Sequence, residues 1–256
     1  MKNSFRIPII GNQRSGKSFA AARIIDSYVK HRGIALVYNF GKDSDFPADE
    51  YETIRPLTFA EHIQYFYSSR NDKRNYSLNK KIEYFFWRGR IYHFAKFCEM
   101  FWMKKVRMFR ISSEQEDNAF FEAVFLYFGR VLLVIDDCRA IFRNGFKQGH
   151  IDIFSRSNHC GTQCTVKGLQ GKGIDIISIW HTPEHLNPDA WYYATSVILF
   201  RFPFLPKLPK IDNPMLEKII VASKNKLDKL PQYYFIEISI EADLVASIRR
   251  PLNILK

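Results

Sequence analysis

The octapeptide at residues 11–18 constrains this chain more strongly than any other part of its sequence. It matches the pattern G-x-x-x-x-G-K-[ST], in which the backbone N–H groups of a glycine-rich loop converge on the phosphates of a nucleotide. An apolar run at 5–10 precedes the loop, and apolar residues at helical spacing follow it over 19–30. Strand, loop and helix in this order are the setting that the motif requires. The eight loop residues are Gly11, Asn12, Gln13, Arg14, Ser15, Gly16, Lys17 and Ser18.

Two side chains of this loop have specific chemistry. Lys17 is expected to bridge the β- and γ-phosphates, where it also contributes to catalysis, and the hydroxyl of Ser18 is expected to bind Mg²⁺. The positive end of the following helix attracts the same anion. The loop therefore predicts a site for a nucleoside triphosphate with Mg²⁺.

A second strong pattern is the apolar run at 131–135, which leads into Asp136 and Asp137. A continuous apolar strand is typical of a parallel sheet that is buried on both faces. Because neighbouring residues at a strand end point to different sides, the two carboxylates can have different roles. We expect Asp136 to hold Mg²⁺ and Asp137 to polarise the attacking water.

Further strands and helices complete an α/β pattern. A buried strand at 174–180 ends at His181, which is followed by Thr182 and Pro183. The alternation predicts a three-layer α/β/α fold with a mainly parallel sheet, formed as a single domain over residues 1–256. Other strands are predicted at 33–40, 106–111 and 193–202, a helix at 115–128, and a C-terminal strand pair at 217–223 and 232–240.

The segment at about 60–110 has an unusual composition. It contains 12 Lys and Arg, 4 Asp and Glu, and 14 of the chain's 40 aromatic residues. Apolar residues at helical spacing predict a helical insertion, and three interpretations of it stay open. Its aromatic rings could pack onto the core, stack with single-stranded nucleic acid, or lie on an anionic membrane. The residues at helical spacing are Ile82, Phe85, Phe86, Phe94, Phe97, Cys98, Phe101 and Trp102.

The overall charge and the cysteines narrow the functional classes. A formal net charge of +12 suits a polyanionic partner, either a nucleic acid or an anionic membrane surface. The chain has too few cysteines for a disulfide scaffold, so we expect reduced thiols and no zinc site. No signal peptide and no membrane-spanning stretch are expected. The cysteines are Cys98, Cys138, Cys160 and Cys164.

Taken in order, these motifs resemble the FtsK–HerA superfamily of RecA-like ATPases, and within it the genome-packaging ATPases of membrane-containing viruses. The resemblance covers about 1–40 and 112–240 and includes the sequence DKLPQYYFI at 228–236. It implies ATP and Mg²⁺ as ligands, DNA as a partner, and a homo-oligomeric ring, either a hexamer or a pentamer. It also implies contact with a capsid vertex or membrane proteins, and a location in the host cytoplasm or the virion.

The resemblance also implies roles for two further kinds of residue. His181 stands where the family usually has a glutamine that senses the γ-phosphate, and Asp137 stands where many relatives have glutamate. Members of the family insert an arginine into the neighbouring subunit's site. Arg156 is our first choice for this arginine finger. The other candidates are Arg139, Arg143 and Arg201.

The leading hypothesis is a motor that hydrolyses ATP and moves DNA into a preformed viral capsid. A membrane-associated ATPase for phage assembly or extrusion is a second hypothesis. A third is a GTPase-like switch, because the sequence NKLD at 225–228 matches the guanine-reading motif N-K-x-D and follows an apolar run at 219–221. A nucleotide-binding scaffold that does not hydrolyse its ligand is a fourth.

Overall fold

The computed structural model describes residues 4–39, 45–67, 82–109, 114–183, 186–202, 213–241 and 244–250. The strands are β1 (Arg6–Ile10), β2 (Ile34–Asn39), β3 (Glu52–Pro56), β4 (Tyr84–Trp87), β5 (Arg90–His93), β6 (Lys105–Phe109), β7 (Val131–Ile135), β8 (Ile174–Trp180), β9 (Ser196–Leu199), β10 (Phe235–Ser239) and β11 (Val245–Arg249). The helices are α1 (Lys17–His31), α2 (Phe59–Tyr67), α3 (Phe97–Met100), α4 (Glu114–Tyr127), α5 (Cys138–Ile141), α6 (Gln148–Ser155), α7 (Pro188–Tyr192) and α8 (Pro214–Leu227).

One sheet contains all the strands of the described residues, in the order β11-β10-β9-β1-β8-β7-β2-β6-β3-β4-β5. From β9 to β3 every neighbouring pair is parallel, and β10, β11, β4 and β5 add antiparallel strands at the two ends. The first strand of the chain is therefore central, with β8 between it and β7. Because these strands are parallel, their carboxyl ends lie at one edge of the sheet, where ligands of open α/β sheets bind.

Alternate residues of the central strands face opposite sides of the sheet, as the two-residue period of a strand requires. One face packs against α1, and the other packs against α4, α6 and α8. The predicted three-layer arrangement with a mainly parallel sheet is confirmed. Residues toward α1 include Ile9, Ala35, Val37, Leu132, Val134, Ile177 and Ile179. Residues on the opposite face include Ile10, Leu36, Tyr38, Leu133, Ile135, Ile176 and Trp180.

The insertion differs from its prediction because it is only partly helical. A short 3-10 turn at Phe94–Lys96 and α3 agree with the expected helix, but the stretch around Phe85 and Phe86 forms the hairpin β4–β5. Its two-residue turn has positive φ at both Arg88 (47°) and Gly89 (77°), the geometry of a tight hairpin turn. Residues 68–81 lie outside the described part of the chain.

Some of the aromatic residues of the insertion pack inward. Four phenylalanines are fully buried in the large core cluster, as the packing interpretation expects. Two basic groups of this region, Arg88 and Lys104, both pair with Glu52, which precedes the insertion. No described helix is long and apolar enough to span a bilayer. The buried phenylalanines are Phe85, Phe94, Phe97 and Phe101.

The predicted strand at 217–223 is wrong, because these residues belong to α8. The side chain of Asn213 accepts a hydrogen bond from the N–H of Leu216 (3.1 Å) and caps the helix, and Pro214 occupies its first turn. A C-terminal strand pair does exist, but it consists of β10 and β11.

Candidate active site

The predicted phosphate loop lies between the carboxyl end of β1 and α1, and its backbone is tied to both neighbouring strands. The N–H of Gly11 donates to the carbonyl of Trp180 at the end of β8 (3.1 Å), and the N–H of Asn12 donates to the carbonyl of Arg201 after β9 (3.1 Å). Gly16 has φ 101°, a left-handed conformation that glycine adopts without steric cost. The chain therefore folds locally as the motif requires.

The start of α1 leaves donors for an anion. Gly16 is the N-cap residue, and no side chain caps the helix. The N–H groups of Lys17 and Ser18 have no helical partner because they belong to the first turn. Gln13 and Arg14 are exposed at the outer part of the loop. This combination of free N–H groups and a helix N-terminus suits a phosphate group.

The side chain of Lys17 is buried against the phosphate loop. Its Nζ donates to the carbonyl of Asn12 (2.5 Å), and only 6% of the residue is exposed. Burial lowers the pKa of Lys17 to about 8, against the opposing effect of the carboxylates of Asp136 and Asp45. A bound triphosphate would add negative charge beside this amine and favour its protonated form.

The paired carboxylates follow β7 at the same edge of the sheet. The N–H of Asp136 donates to the carbonyl of Tyr38 (2.9 Å), and its Oδ1 accepts from the N–H of Asp137 (3.0 Å). Asp137 has φ 48° and begins α5, so the chain turns sharply between the two acids. Burial raises the pKa of Asp136 above its ordinary value, and the charges of Asp45 and Asp137 add to this effect.

His181 follows β8 and therefore lies between the phosphate loop and the acids. Its Nε2 is 3.6 Å from Oδ1 of Asp137, and both side chains are about one-third exposed. Its Nδ1 is buried and has no hydrogen-bond partner among the described residues. The structure thus brings Lys17, Asp136, Asp137 and His181 to one edge, as the sequence predicts.

Asp45 is a site residue that the sequence analysis missed. Its Oδ2 accepts a hydrogen bond from Oγ of Ser18 (2.5 Å). The next residue, Phe46, is fully buried, and its carbonyl accepts from Nη1 of Arg107 (2.8 Å). Asp45 therefore has a fixed neighbour in the chain, although the sequence around it indicates only a polar loop.

The donor set fits Mg²⁺. A hydroxyl, from Ser18, and carboxylates, from Asp136 and Asp45, are oxygen ligands of the type that Mg²⁺ prefers, together with phosphate oxygens. Among the described residues, no group of three or more His, Cys, Asp or Glu side chains forms a metal cage of its own. A Mg²⁺ ion at a phosphate site needs only one or two carboxylates from the protein, so the two observations agree.

Arg156, our first choice for an arginine finger, lies away from this edge. Its guanidinium pairs with Asp152 (3.4 Å) and lies over the ring of Phe125 (4.7 Å). The next residue, Ser157, accepts a hydrogen bond from Arg6, the first residue of β1 (2.7 Å). Arg156 therefore lies near the amino edge of the sheet, at the end opposite the phosphate loop.

The other arginine candidates have different surroundings. Arg201 donates to the carbonyls of Leu227 (3.4 Å) and Leu230 (2.5 Å), so its guanidinium already binds the end of α8. Arg139 and Arg143 are exposed immediately after the paired acids. Both follow β7, whose carboxyl end carries the paired acids.

The motif at 225–228 lies on a helix. The first three of its residues form the last turn of α8 and Asp228 is the C-cap, so the expected strand at 219–221 is wrong. The carboxylate of Asp228 pairs with Lys224 one turn earlier (2.7 Å). A guanine-reading motif needs an aspartate free to bind the base, so this geometry disfavours the GTPase interpretation.

Comparison with known proteins finds similarity in structure and none in sequence families or curated sequences. Neither a protein-family model nor a curated protein matches the chain. The B204 genome-packaging NTPase of Sulfolobus turreted icosahedral virus 2, solved with ATPγS, matches at 13% identity with a TM-score of 0.57, covering 98% of this chain and 100% of that one. The same protein with sulfate matches at 12% identity and 0.57, covering 98% of both chains.

A structure from a related virus also matches the fold of this chain. B204 of Sulfolobus turreted icosahedral virus, described as a DNA-packaging ATPase, matches at 15% identity with a TM-score of 0.51, covering 96% of this chain and 97% of that one. Because these matches cover nearly the full length of both chains, the expected resemblance to viral genome-packaging ATPases is confirmed at the level of the fold.

Proposed function

We propose that this protein is a Mg²⁺-dependent ATPase that moves DNA, acting to package a viral genome. The observation that carries the proposal is the arrangement at the carboxyl edge, where β8 places His181 between the phosphate loop and Asp136–Asp137. A loop that only binds nucleotide does not need an acid and a histidine beside the γ-phosphate position. This arrangement supports hydrolysis over a non-hydrolysing scaffold.

The residues supply each part of the reaction. The N–H groups of the loop and the amine of Lys17 bind the β- and γ-phosphates, and Mg²⁺, when bound through Ser18 and Asp136, neutralises the charge that develops on them. Asp137 accepts a proton from water as the water oxygen bonds to the γ-phosphorus. The bond from that phosphorus to the β–γ bridging oxygen breaks, which leaves ADP and inorganic phosphate. His181, beside Asp137, donates a hydrogen bond to the γ-phosphate.

Two observations support DNA as the substrate that the motor moves. The protein has a net charge of +12, which suits a polyphosphate partner, and the proteins that share its fold are described as genome-packaging NTPases. A ring of identical subunits would allow Arg139 or Arg143, as well as Arg156, to reach a neighbouring site.

The test is steady-state ATP hydrolysis with and without double-stranded DNA, compared between the wild type and Lys17→Ala. We expect activity that requires Mg²⁺, rises several-fold with DNA, and is lost in the variant. Negative-stain images with a non-hydrolysable ATP analogue should contain rings. Hydrolysis that no DNA stimulates would contradict the motor, and the absence of any hydrolysis would favour the scaffold.

A further inference from the structure

The order of the strands indicates on which side of β1 the γ-phosphate and the nucleoside of a bound nucleotide lie. On one side of β1 lie β8, β7 and β2, and on the other lie β9 and β10. Asp136, His181 and Asp45 follow strands on the first side, so the γ-phosphate of a substrate lies there. Since the loop after β1 holds the β-phosphate, the α-phosphate and the nucleoside extend toward β9 and β10.

An aromatic pair flanks the loop on that second side. Phe200, directly after β9, is 3% exposed. Its Cβ lies 2.6 Å from the position of a Cβ atom on Gly11, and its Cε1 lies 3.4 Å from that position on Gly16. Tyr233, two residues before β10, has its Cδ1 3.3 Å from the position of a Cβ atom on Gly16, yet 44% of the residue is exposed. An exposed ring therefore lies beside the loop, on the side to which the nucleoside extends.

The backbone holds Tyr233 in this place at a steric cost. Its φ is 72°, in the left-handed region that a bulky residue rarely adopts. Arg201 links its segment to the loop, because the guanidinium binds the carbonyl of Leu230 and the backbone carbonyl accepts from Asn12. The exposed ring gains only part of the burial that could offset this conformation. Strain of this kind, fixed by the surrounding structure, is concentrated at ligand-binding positions.

We propose that Tyr233 is the base-stacking residue of the nucleotide site, binding the purine ring of a nucleoside triphosphate. The inference rests on the proposed nucleotide site and adds its nucleoside subsite. Every base has a π-face, so stacking tolerates different bases, and the larger purines gain most from it. The expected order is that ATP and GTP bind with similar affinity and both bind more tightly than CTP and UTP.

The test compares the dissociation constants of ATP and tripolyphosphate, both with Mg²⁺, by calorimetry. Tripolyphosphate binds the loop and has no base. Tyr233→Leu keeps an apolar side chain without a π-face, Tyr233→Phe keeps the ring, and Tyr192→Leu alters an exposed tyrosine on α7 that is 76% exposed. We expect Tyr233→Leu to weaken ATP binding roughly tenfold and to leave tripolyphosphate unchanged. Tyr233→Phe and Tyr192→Leu should bind both ligands like the wild type.

Two results would overturn the inference. One is equal weakening of ATP and tripolyphosphate in Tyr233→Leu, which would mean that the residue acts on the shape of the loop. The other is unchanged ATP binding in that variant. Failure of the proposed nucleotide site looks different, because the wild type itself would then bind neither ligand, or Lys17→Ala would bind both as well as the wild type does. Failure of the proposed ATPase motor appears in the hydrolysis assay and leaves these affinities unchanged.

Discussion

The carboxylate of Asp45 accepts a hydrogen bond from the hydroxyl of Ser18, with 2.5 Å between Oδ2 and Oγ. The hydroxyl is the group expected to bind Mg²⁺, so Asp45 lies beside the proposed metal site. Burial lowers the pKa of Lys17 and raises the pKa of Asp136, and the charge of Asp45 opposes the first effect and adds to the second. Asp45 therefore interacts electrostatically with the lysine, the hydroxyl and the half-buried acid.

Asp45→Asn should change how nucleotide binding depends on the metal. The amide keeps a partner for Ser18 but removes a negative charge that repels the triphosphate. Without Mg²⁺, with EDTA present, ATP should bind roughly 3- to 10-fold more tightly than to the wild type, because one nearby charge is removed. The additional affinity that Mg²⁺ provides should fall. Calorimetry with and without Mg²⁺ measures both effects.

Asp49→Asn is the control for this charge, since Asp49 is exposed in the same connection between β2 and β3. It should leave ATP binding unchanged under both conditions. Identical affinities of Asp45→Asn and the wild type in EDTA would show that the charge of Asp45 has no influence on nucleotide binding.

Lys17 predicts a pH dependence of binding. Burial lowers its pKa to about 8 in the free protein, so the amine loses its proton as the pH rises through that value. The triphosphate favours the charged amine and raises its pKa, so binding above pH 8 takes up a proton. Above pH 8 the affinity should therefore fall by up to about tenfold per pH unit, and below pH 7 it should change little through this residue.

Proton uptake is measured by calorimetry in buffers of different ionisation enthalpy. Lys17→Arg is the matched variant, because a guanidinium stays charged throughout this range. It should bind ATP without the additional proton between pH 8 and 9. Proton uptake of the same size in Lys17→Arg would assign the effect to another group.

Substitutions of Asp137 and His181 should change the rate of ATP hydrolysis more than the affinity for ATP. Asp137→Asn keeps the size of the side chain but cannot accept a proton, so kcat should fall roughly 100-fold or more while the Kd of ATP stays within about threefold. His181→Gln retains a hydrogen-bond donor for the γ-phosphate and should keep activity within about tenfold, whereas His181→Ala should lose more. Single-turnover hydrolysis and ATP titration measure the two quantities.

Other orders of activity among these variants would assign the catalytic roles differently. If Asp137→Asn keeps its rate and Asp45→Asn does not, then the acid after β2 accepts the proton from the attacking water. If His181→Gln is as inactive as His181→Ala, the imidazole has a function that an amide cannot replace.

The buried aromatics of the insertion predict a stability difference. Phe97 is fully buried and stacks on Phe128 with 4.2 Å between ring centroids, whereas Phe86 is 38% exposed. Phe97→Ala should lower the free energy of unfolding by about 3–5 kcal/mol because it leaves a cavity. Phe86→Ala, the same change on the outer side of β4, should cost about 1 kcal/mol. Chemical denaturation of the two variants measures both, and equal losses would contradict the packing described for the insertion.

The parts of the site that follow single strands could be predicted from the sequence. Lys17, Asp136 and His181 each follow directly from a buried strand, and parallel strands bring their carboxyl ends together. Asp45 could not be found in this way, because five residues separate it from the end of β2 and no sequence pattern fixes the path between them. Its position depends on the burial of Phe46, which is a tertiary contact.

Two errors in the predicted fold have physical reasons. The apolar β-branched residues at 219–221 favoured a strand, but Asn213 and Pro214 are helix-start signals, and Leu216, Ile220 and Leu227 are buried at helical spacing. In the insertion, the dipeptide at 88–89 was the available signal for a hairpin, since a glycine between apolar runs is typical of a tight turn.

The central position of β1 has a consequence for how the protein is made. Its two neighbours, β8 and β9, begin at Ile174 and Ser196, so neither exists when the ribosome has produced only the first strand. At roughly 5–20 residues per second, the delay before both are synthesised is on the order of 10–40 s. Until then β1 lacks both of the strands that flank it, so the backbone contacts of the phosphate loop with Trp180 and Arg201 can form only late in translation.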